Sequence, residues 1–202
     1  MKNMLKDTAI LLIITLISGA ILGFVYELTK EPIALQEEKA KQEAYKEVFT
    51  DAESFEAMTD LDEAAMTAVA AEGGYTQTSV NEVAKAVDGS GSVLGYVITV
   101  TSHAGYGGDI KFSMGVRSDG TLNGISILSI SETAGLGMRA EEVLKPQFAE
   151  KQVVQFSVTK TGAASDDQID AISGATITSN AVTNAVNAGL YYYQNELEGG
   201  VQ

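Results

Sequence analysis

Nineteen consecutive uncharged residues, Thr8 to Tyr26 (TAILLIITLISGAILGFVY), constrain this chain more than any other feature. A helix rises about 1.5 Å per residue, so a run of this length spans about 30 Å, the depth of a bilayer core. A cleaved signal peptide is one alternative, but its apolar region is shorter and ends at a small-residue site. The following ELTKEPIALQEEKAKQEAYKE offers no Ala-x-Ala-like site. A buried core helix is the other alternative. The reading adopted is a permanent single-pass anchor over residues 8–26. Lys2 and Lys6 precede it, whereas Lys30, Lys39 and Lys41 follow it mixed with acids. That bias places residues 1–7 in the cytoplasm and the bulk of the chain outside the cell membrane. Residues 27–50 read as a helical stalk and 51–202 as an extracytoplasmic domain.

The charge balance narrows what the outer part binds. Against 13 Lys+Arg stand 27 Asp+Glu, a net charge of -14. Such a surface repels phosphate backbones, which argues against nucleic acid as a partner and favours a basic one. With no cysteine there are no disulfides, thiolate metal sites or iron–sulfur ligands. A single histidine, His103, argues against a histidine-rich metal centre or a full Ser-His-Asp triad.

Past Pro32, residues 33–49 carry Ile33, Ala40, Ala44, Tyr45 and Val48 on one stripe of a charged amphipathic helix. Residues 51–74 show no clear period and read as short helices and loops. From Ser92 the period becomes two. VLGYVITVT is strand-like, and Ile110, Phe112, Met114 and Val116 alternate with Lys111, Ser113, Gly115 and Arg117. Ser118–Asp119–Gly120 supplies a turn into TLNGISILSI, so residues 110–130 read as an antiparallel hairpin. VVQFSVTK reads as a further strand, and 139–151 as a short helix interrupted near Pro146. Val182, Ala185, Val186, Gly189, Leu190, Tyr193 and Leu197 form the apolar face of a last helix, ended by Gly199 and Gly200. The Tyr191–Tyr193 run on it reads as core and interface packing. The fold class expected is α+β, with antiparallel strands and a C-terminal helix, and no sustained β-α-β alternation.

Before that helix lies DAISGATITSN, Asp170 to Asn180, crowded with small hydroxyls. Thr178, Ser179 and Asn180 are its N-cap candidates. A helix N-terminus offers unpaired N–H groups and partial positive charge to an anion, and Gly174 and Ala175 leave its approach open. The residues alone fit either a plain cap, the simpler reading, or a phosphate turn.

Asp170-Ala171-Ile172-Ser173-Gly174-Ala175-Thr176 resembles the flavinylation motif of the FMN-binding domain family. The resemblance implies covalent FMN on Thr176 through a phosphoester, installed by a flavin transferase that uses a metal ion to activate a donor flavin dinucleotide. Asp170 would present Thr176 or help hold that metal, and Ser173, Gly174 and Ala175 match the small run. Ser131 to Gly137 (SETAGLG) resembles the family's Glu-Thr-Pro-Gly-Leu-Gly loop, which implies that Glu132, Thr133, Gly135, Leu136 and Gly137 line the flavin. Ala134 stands where the family has proline and Ile130 where many members have histidine. His103 to Ile110 (HAGYGGDI) resembles the Gly-Tyr-Gly-Gly segment, which would bring Tyr106 near the ring; an ordinary glycine turn with a surface tyrosine fits those residues equally. No residue stands out as catalytic or as a resident metal ligand.

Within that family, the single motif, single anchor and short length most resemble the G subunits of Rnf complexes. This implies an electron carrier among the other subunits of a membrane complex that couples ferredoxin:NAD electron transfer to sodium or proton movement, without turnover in isolation. The longer C subunits of sodium-pumping NADH:quinone oxidoreductases are the alternative. A cofactor-free anchored binding domain and a free-standing flavin reductase are readings of other classes.

Overall fold

The computed structural model describes residues 2–199 and divides into two compact units, residues 1–40 and 41–202. Helix α1, Lys2–Val48, runs through Pro32, so the apolar run and the charged segment after it form one helix. In the first unit the large apolar side chains from Ile10 to Leu28 are exposed, a surface suited to lipid. Thr15, within that run, donates back to Leu12 O at 2.9 Å, so its hydroxyl needs no partner outside the helix. The helix is long and apolar enough to cross a membrane.

The second unit begins at Lys41, inside the stretch read as stalk. It is built on an antiparallel meander of five strands in sequential order: β1 Ser54–Ala57, β2 Thr78–Val87, β3 Val93–Ser102, β4 Ile110–Arg117 and β5 Leu122–Ile130. The period-two pattern sends alternate residues to opposite faces. Tyr96, Ile98 and Val100 of β3, with Phe112, Met114 and Val116 of β4, join the main core beneath α2 (Glu63–Glu72) and α4 (Thr176–Tyr192). Val97, Ala84 and Ala86 face the other way, where Tyr45, Val48 and Phe49 from the end of α1 cover them. Gly115 makes that cover possible: a Cβ there would lie 2.9 Å from Val48 Cβ and 3.0 Å from Phe49 Cε2. The α+β class and the 110–130 hairpin are as read from sequence.

Three sequence readings change. Residues 51–74 hold the edge strand β1 as well as α2, and β2 follows unread. Its alternation is broken because a bulge between Val80 and Glu82 shifts the register, so inward positions change phase midway. The strand read over Val153–Lys160 shortens to β6, Ser157–Thr159, which pairs parallel with β7, Gln168–Asp170. Its first half is held by a side chain instead: Asn187 Oδ1 accepts from Phe156 N–H at 2.8 Å and its Nδ2 donates to Phe156 O at 2.9 Å. Third, α4 passes at Tyr193 into a π-helical turn, Tyr193–Leu197, before Gly199. The apolar face read for α4 is buried throughout, with Tyr192 and Tyr193 in the core. Residues 139–151 form α3 (Ala140–Val143) and a 3-10 turn at Lys145–Phe148, with Pro146 in its first positions.

Near the end of α1, Glu47 pairs with Lys145 at 2.6 Å and accepts a hydrogen bond from Ser126. Burial opposes its ionisation, but the bonds from Lys145 and Ser126 outweigh this and hold its pKa below the usual value. A depressed carboxylate stabilises the fold above its unfolded pKa and loses that contribution as pH falls through the folded one. Glu47→Gln is therefore expected to flatten the acid limb of a thermal-stability profile below about pH 5. A limb as steep as the wild type's would show that the pairing contributes nothing.

Candidate functional site

Three segments far apart in sequence meet in one cavity of about 500 Å³, within the range of small-molecule sites. Tyr106 comes from the β3–β4 loop, Glu132, Thr133, Leu136 and Gly137 from the loop after β5, and Gly174, Ala175, Thr176, Ile177 and Thr178 from the entry to α4.

The entry to α4 differs from the cap expected. The helix begins at Thr176, its N-cap is Ala175, and no side chain bonds to the cap position. Ser179 is buried and turned inward, accepting from Ile172 N–H at 3.0 Å and donating to Ala175 O at 2.9 Å. Thr178 is also buried, while Asn180 is exposed. The hydroxyls expected as caps thus lie within the first turn, and the start of α4, whose residues 176–178 line the cavity, has no side-chain cap. Thr176, half-buried at the first helical position, is on the cavity wall, and among the described residues none hydrogen-bonds to its hydroxyl.

The loop after β5 packs against this turn. Leu136 N–H donates to Thr133 O at 3.1 Å, and Gly135 has φ +76. That is a tight turn with glycine where positive φ is required, and Ala134 takes the position proline favours. The turn closes without the proline. At Gly137 a Cβ would lie 2.7 Å from both Glu132 Cβ and Thr178 Oγ1, so only glycine lets the loop and helix entry approach this closely. Gly137→Val is expected to push them apart and lower the melting temperature of the chain by several degrees; an unchanged melt would contradict the packing described.

Not every residue singled out from sequence reaches the cavity wall. Asp170, Ser173 and Gly135 lie outside its lining. Asp170 ends β7, where its backbone N–H donates to Gln147 Oε1 at 2.7 Å and its carbonyl accepts from Gln147 Nε2 at 3.1 Å. Ser173 is exposed on the turn. Conversely Ile177 and Thr178 line the cavity without having been singled out as contacts. His103, exposed in the bend after β3, stands in a hydrogen-bond chain with Ser79 (Nε2 to Oγ, 2.9 Å) and Asp109 (Nδ1 to Oδ1, 3.0 Å). The connectivity is that of a Ser-His-Asp triad, but the imidazole is exposed and no described cavity is lined by any of the three.

The cavity suits a flat, partly apolar group carrying an anion. Of the five exposed large hydrophobics among described residues 41–199, Tyr106, Leu136 and Ile177 line it. The lining includes the first turn of α4, where a helix has N–H groups without intrahelical partners, and no Lys or Arg. An FMN-sized group fits this set: apolar side chains for a ring, backbone donors for a phosphate, and a hydroxyl between.

Comparison with known proteins agrees. The FMN-binding domain family matches residues 105–191, and the RnfG N-terminal region matches residues 1–48. The G subunit of the Na(+)-translocating ferredoxin:NAD(+) oxidoreductase complex of Acetobacterium woodii is 32% identical over 199 residues, covering 96% of this chain and 93% of its own length. The G subunit of the ion-translocating oxidoreductase complex of Methanosarcina acetivorans is 32% identical over 196 residues, 95% of each chain. The G subunit of the proton-translocating ferredoxin:NAD(+) oxidoreductase complex of Clostridium ljungdahlii is 30% identical over 171 residues, 84% of this chain and 80% of its own. Among solved structures, NqrC of Shewanella oneidensis aligns over 57% of this chain and 58% of its own at 22% identity, with a TM-score of 0.47. A G-type N-terminal region over residues 1–48, an FMN-binding domain behind it and relatives alike along nearly their whole length have one reading: the chain belongs to the family of G subunits of Rnf-type ion-translocating oxidoreductase complexes.

Proposed function

We propose that this chain is the electron-carrying subunit of a membrane complex that couples ferredoxin:NAD electron transfer to sodium or proton translocation, with FMN joined to Thr176 through a phosphoester. The observation that carries the proposal is the Thr176 hydroxyl on the wall of a cavity that has backbone donors but no basic side chain. In a chain of net charge -14, a dianionic phosphate held by backbone groups alone is weakly retained. A covalent bond removes that weakness. In the attachment the Thr176 oxygen forms a bond to the FMN phosphorus of a flavin dinucleotide, the bond to the adenylate breaks, and the hydroxyl proton is lost as adenylate leaves. Threonine is a poor nucleophile at its ordinary pKa, so a transferase must activate it. Asp170 lies outside the cavity and acts during this maturation, presenting the turn or holding the activating metal.

When bound, FMN supplies a redox centre that accepts and releases electrons. The chain's own residues position it. The first turn of α4 compensates phosphate charge, Leu136, Ile177 and Tyr106 exclude water from an apolar ring, and Gly137 lets the loop after β5 close on the start of α4. Lys2 and Lys6 keep the N-terminus in the cytoplasm, which sets the FMN-binding domain outside, among the other subunits. A flavin reduced by NADH in the purified complex, with no NADH oxidation by the isolated flavinylated chain, is the expected result. Steady NADH oxidation by the isolated chain would instead identify a free-standing flavin reductase, and a colourless chain would identify a cofactor-free binding domain.

A further inference from the structure

Glu132 is out of place for a simple ligand contact. A carboxylate beside a site built for an anion repels it, and yet this one is half-buried in the lining. Its bonds run to the protein instead. Oε1 accepts from the backbone N–H of Tyr106 at 2.8 Å, across 26 residues of sequence. The same oxygen would be 2.8 Å from a Cβ on Gly105, and Oε2 the same distance from a Cβ on Gly137. Both neighbouring backbones therefore crowd the carboxylate too closely for any side chain to intervene. Gly107 is pressed against the Ser131 carbonyl in the same way, and His103 and Asp109 pair at 3.0 Å across the base of the loop. The loop that carries Tyr106 is thus tied at its base and at its tip. The tip is held by one side chain.

We propose that Glu132 is a positioning residue whose carboxylate clasps the 105–108 loop to the 132–137 loop and so holds Tyr106 on the cavity wall, without itself binding the cofactor. The inference rests on the reading of this cavity as the FMN site. It assigns the exposed Tyr106 ring as the group the clasp delivers, and Glu132 as the reason the ring is there before any ligand arrives.

The test uses the full chain in lipid nanodiscs, made with and without a flavin transferase, as wild type, Glu132→Gln and Glu132→Ala. Glutamine keeps an oxygen acceptor for Tyr106 N–H and loses the charge; alanine loses both. In the unflavinylated protein, amide exchange at Tyr106 is expected to accelerate about tenfold or more in Glu132→Ala, the scale of losing a charged hydrogen bond, and to stay near wild type in Glu132→Gln. In the flavinylated protein, flavin emission quenched by a neighbouring tyrosine should rise severalfold in Glu132→Ala and return in Glu132→Gln, with equal flavin attached in all three. Unchanged exchange at Tyr106 in Glu132→Ala overturns the clasp. So does a flavinylated Glu132→Gln protein whose emission matches Glu132→Ala while its Tyr106 exchange stays at the wild-type rate, because the charge would then be acting on the cofactor directly. The exchange measurement needs no flavin: if no variant, wild type included, takes up FMN, the cofactor reading fails while the clasp is still decided.

Discussion

On the attachment proposed above, Thr176→Ala is expected to leave an assembled complex with no flavin on this subunit and to bring its ferredoxin:NAD electron transfer to background. The expected effect is all-or-none because the substitution removes the single oxygen through which the proposed attachment runs. It costs the fold little. Alanine is the best helix former, Thr176 caps nothing, and its hydroxyl holds no other described residue in place. Thr176→Ser keeps the oxygen and is expected to keep both flavin and turnover. Flavin fluorescence after denaturing electrophoresis reads attachment, and the complex's own activity reads the relay. A Thr176→Ala protein that still fluoresces under denaturing conditions would move the attachment to another hydroxyl, with Thr133 and Thr178 the others in the lining.

Asn187→Leu is expected to be the most destabilising of these substitutions. Asn187, 2% exposed on α4, satisfies both the N–H and the carbonyl of Phe156. Leucine fills a similar volume but leaves two buried backbone groups without partners. Each such loss costs about 1–3 kcal/mol, so roughly 2–6 kcal/mol in all, out of the 5–15 kcal/mol typical of a folded domain. For a chain of this size a central loss of about 4 kcal/mol lowers the melting temperature by about 8–16 °C. The damage reaches the site as well. Phe156 packs edge-on against Phe148 at 5.1 Å, and the strand it leads into pairs with β7, which ends at the turn before Thr176. Circular dichroism melts in detergent read the stability. A shift within a degree or two of wild type would show that water replaces the amide and that the segment is less enclosed than its burial indicates.

What could be read from the sequence follows from how local each feature is. The α4 face and strand β4 were legible because each has one uninterrupted period, Val182, Val186 and Gly189 at helical spacing and Ile110 to Val116 at two, whereas β5, with two register shifts against β4, was legible from the turn that precedes it. β2 was not, since its bulge at Val80/Glu82 breaks the period that would have revealed it. The β6 strand was overread because Phe156 looks like a strand residue but is held by Asn187, 31 residues later. At the site, the run around Thr176 and the loop around Glu132 stood out as motifs. Their relation did not. That Ser179 turns inward instead of capping, that Thr178 reaches Gly137, and that Glu132 spends its carboxylate on Tyr106 are long-range facts of packing. Ile177 gave no signal beyond being apolar on the wrong side of an amphipathic helix, the mark of a helix end that covers something other than the core.

The most direct measurement is the intact mass of this chain, purified from its native membrane or co-expressed with a flavin transferase, followed by fragmentation of the peptide that holds residues 170–180. Covalent FMN on Thr176 predicts a gain of one FMN less one water, assigned by the fragments to Thr176. The unmodified mass, from cells whose transferase flavinylates a control acceptor, would contradict it, and the uncapped start of α4 would then be a helix end and no more.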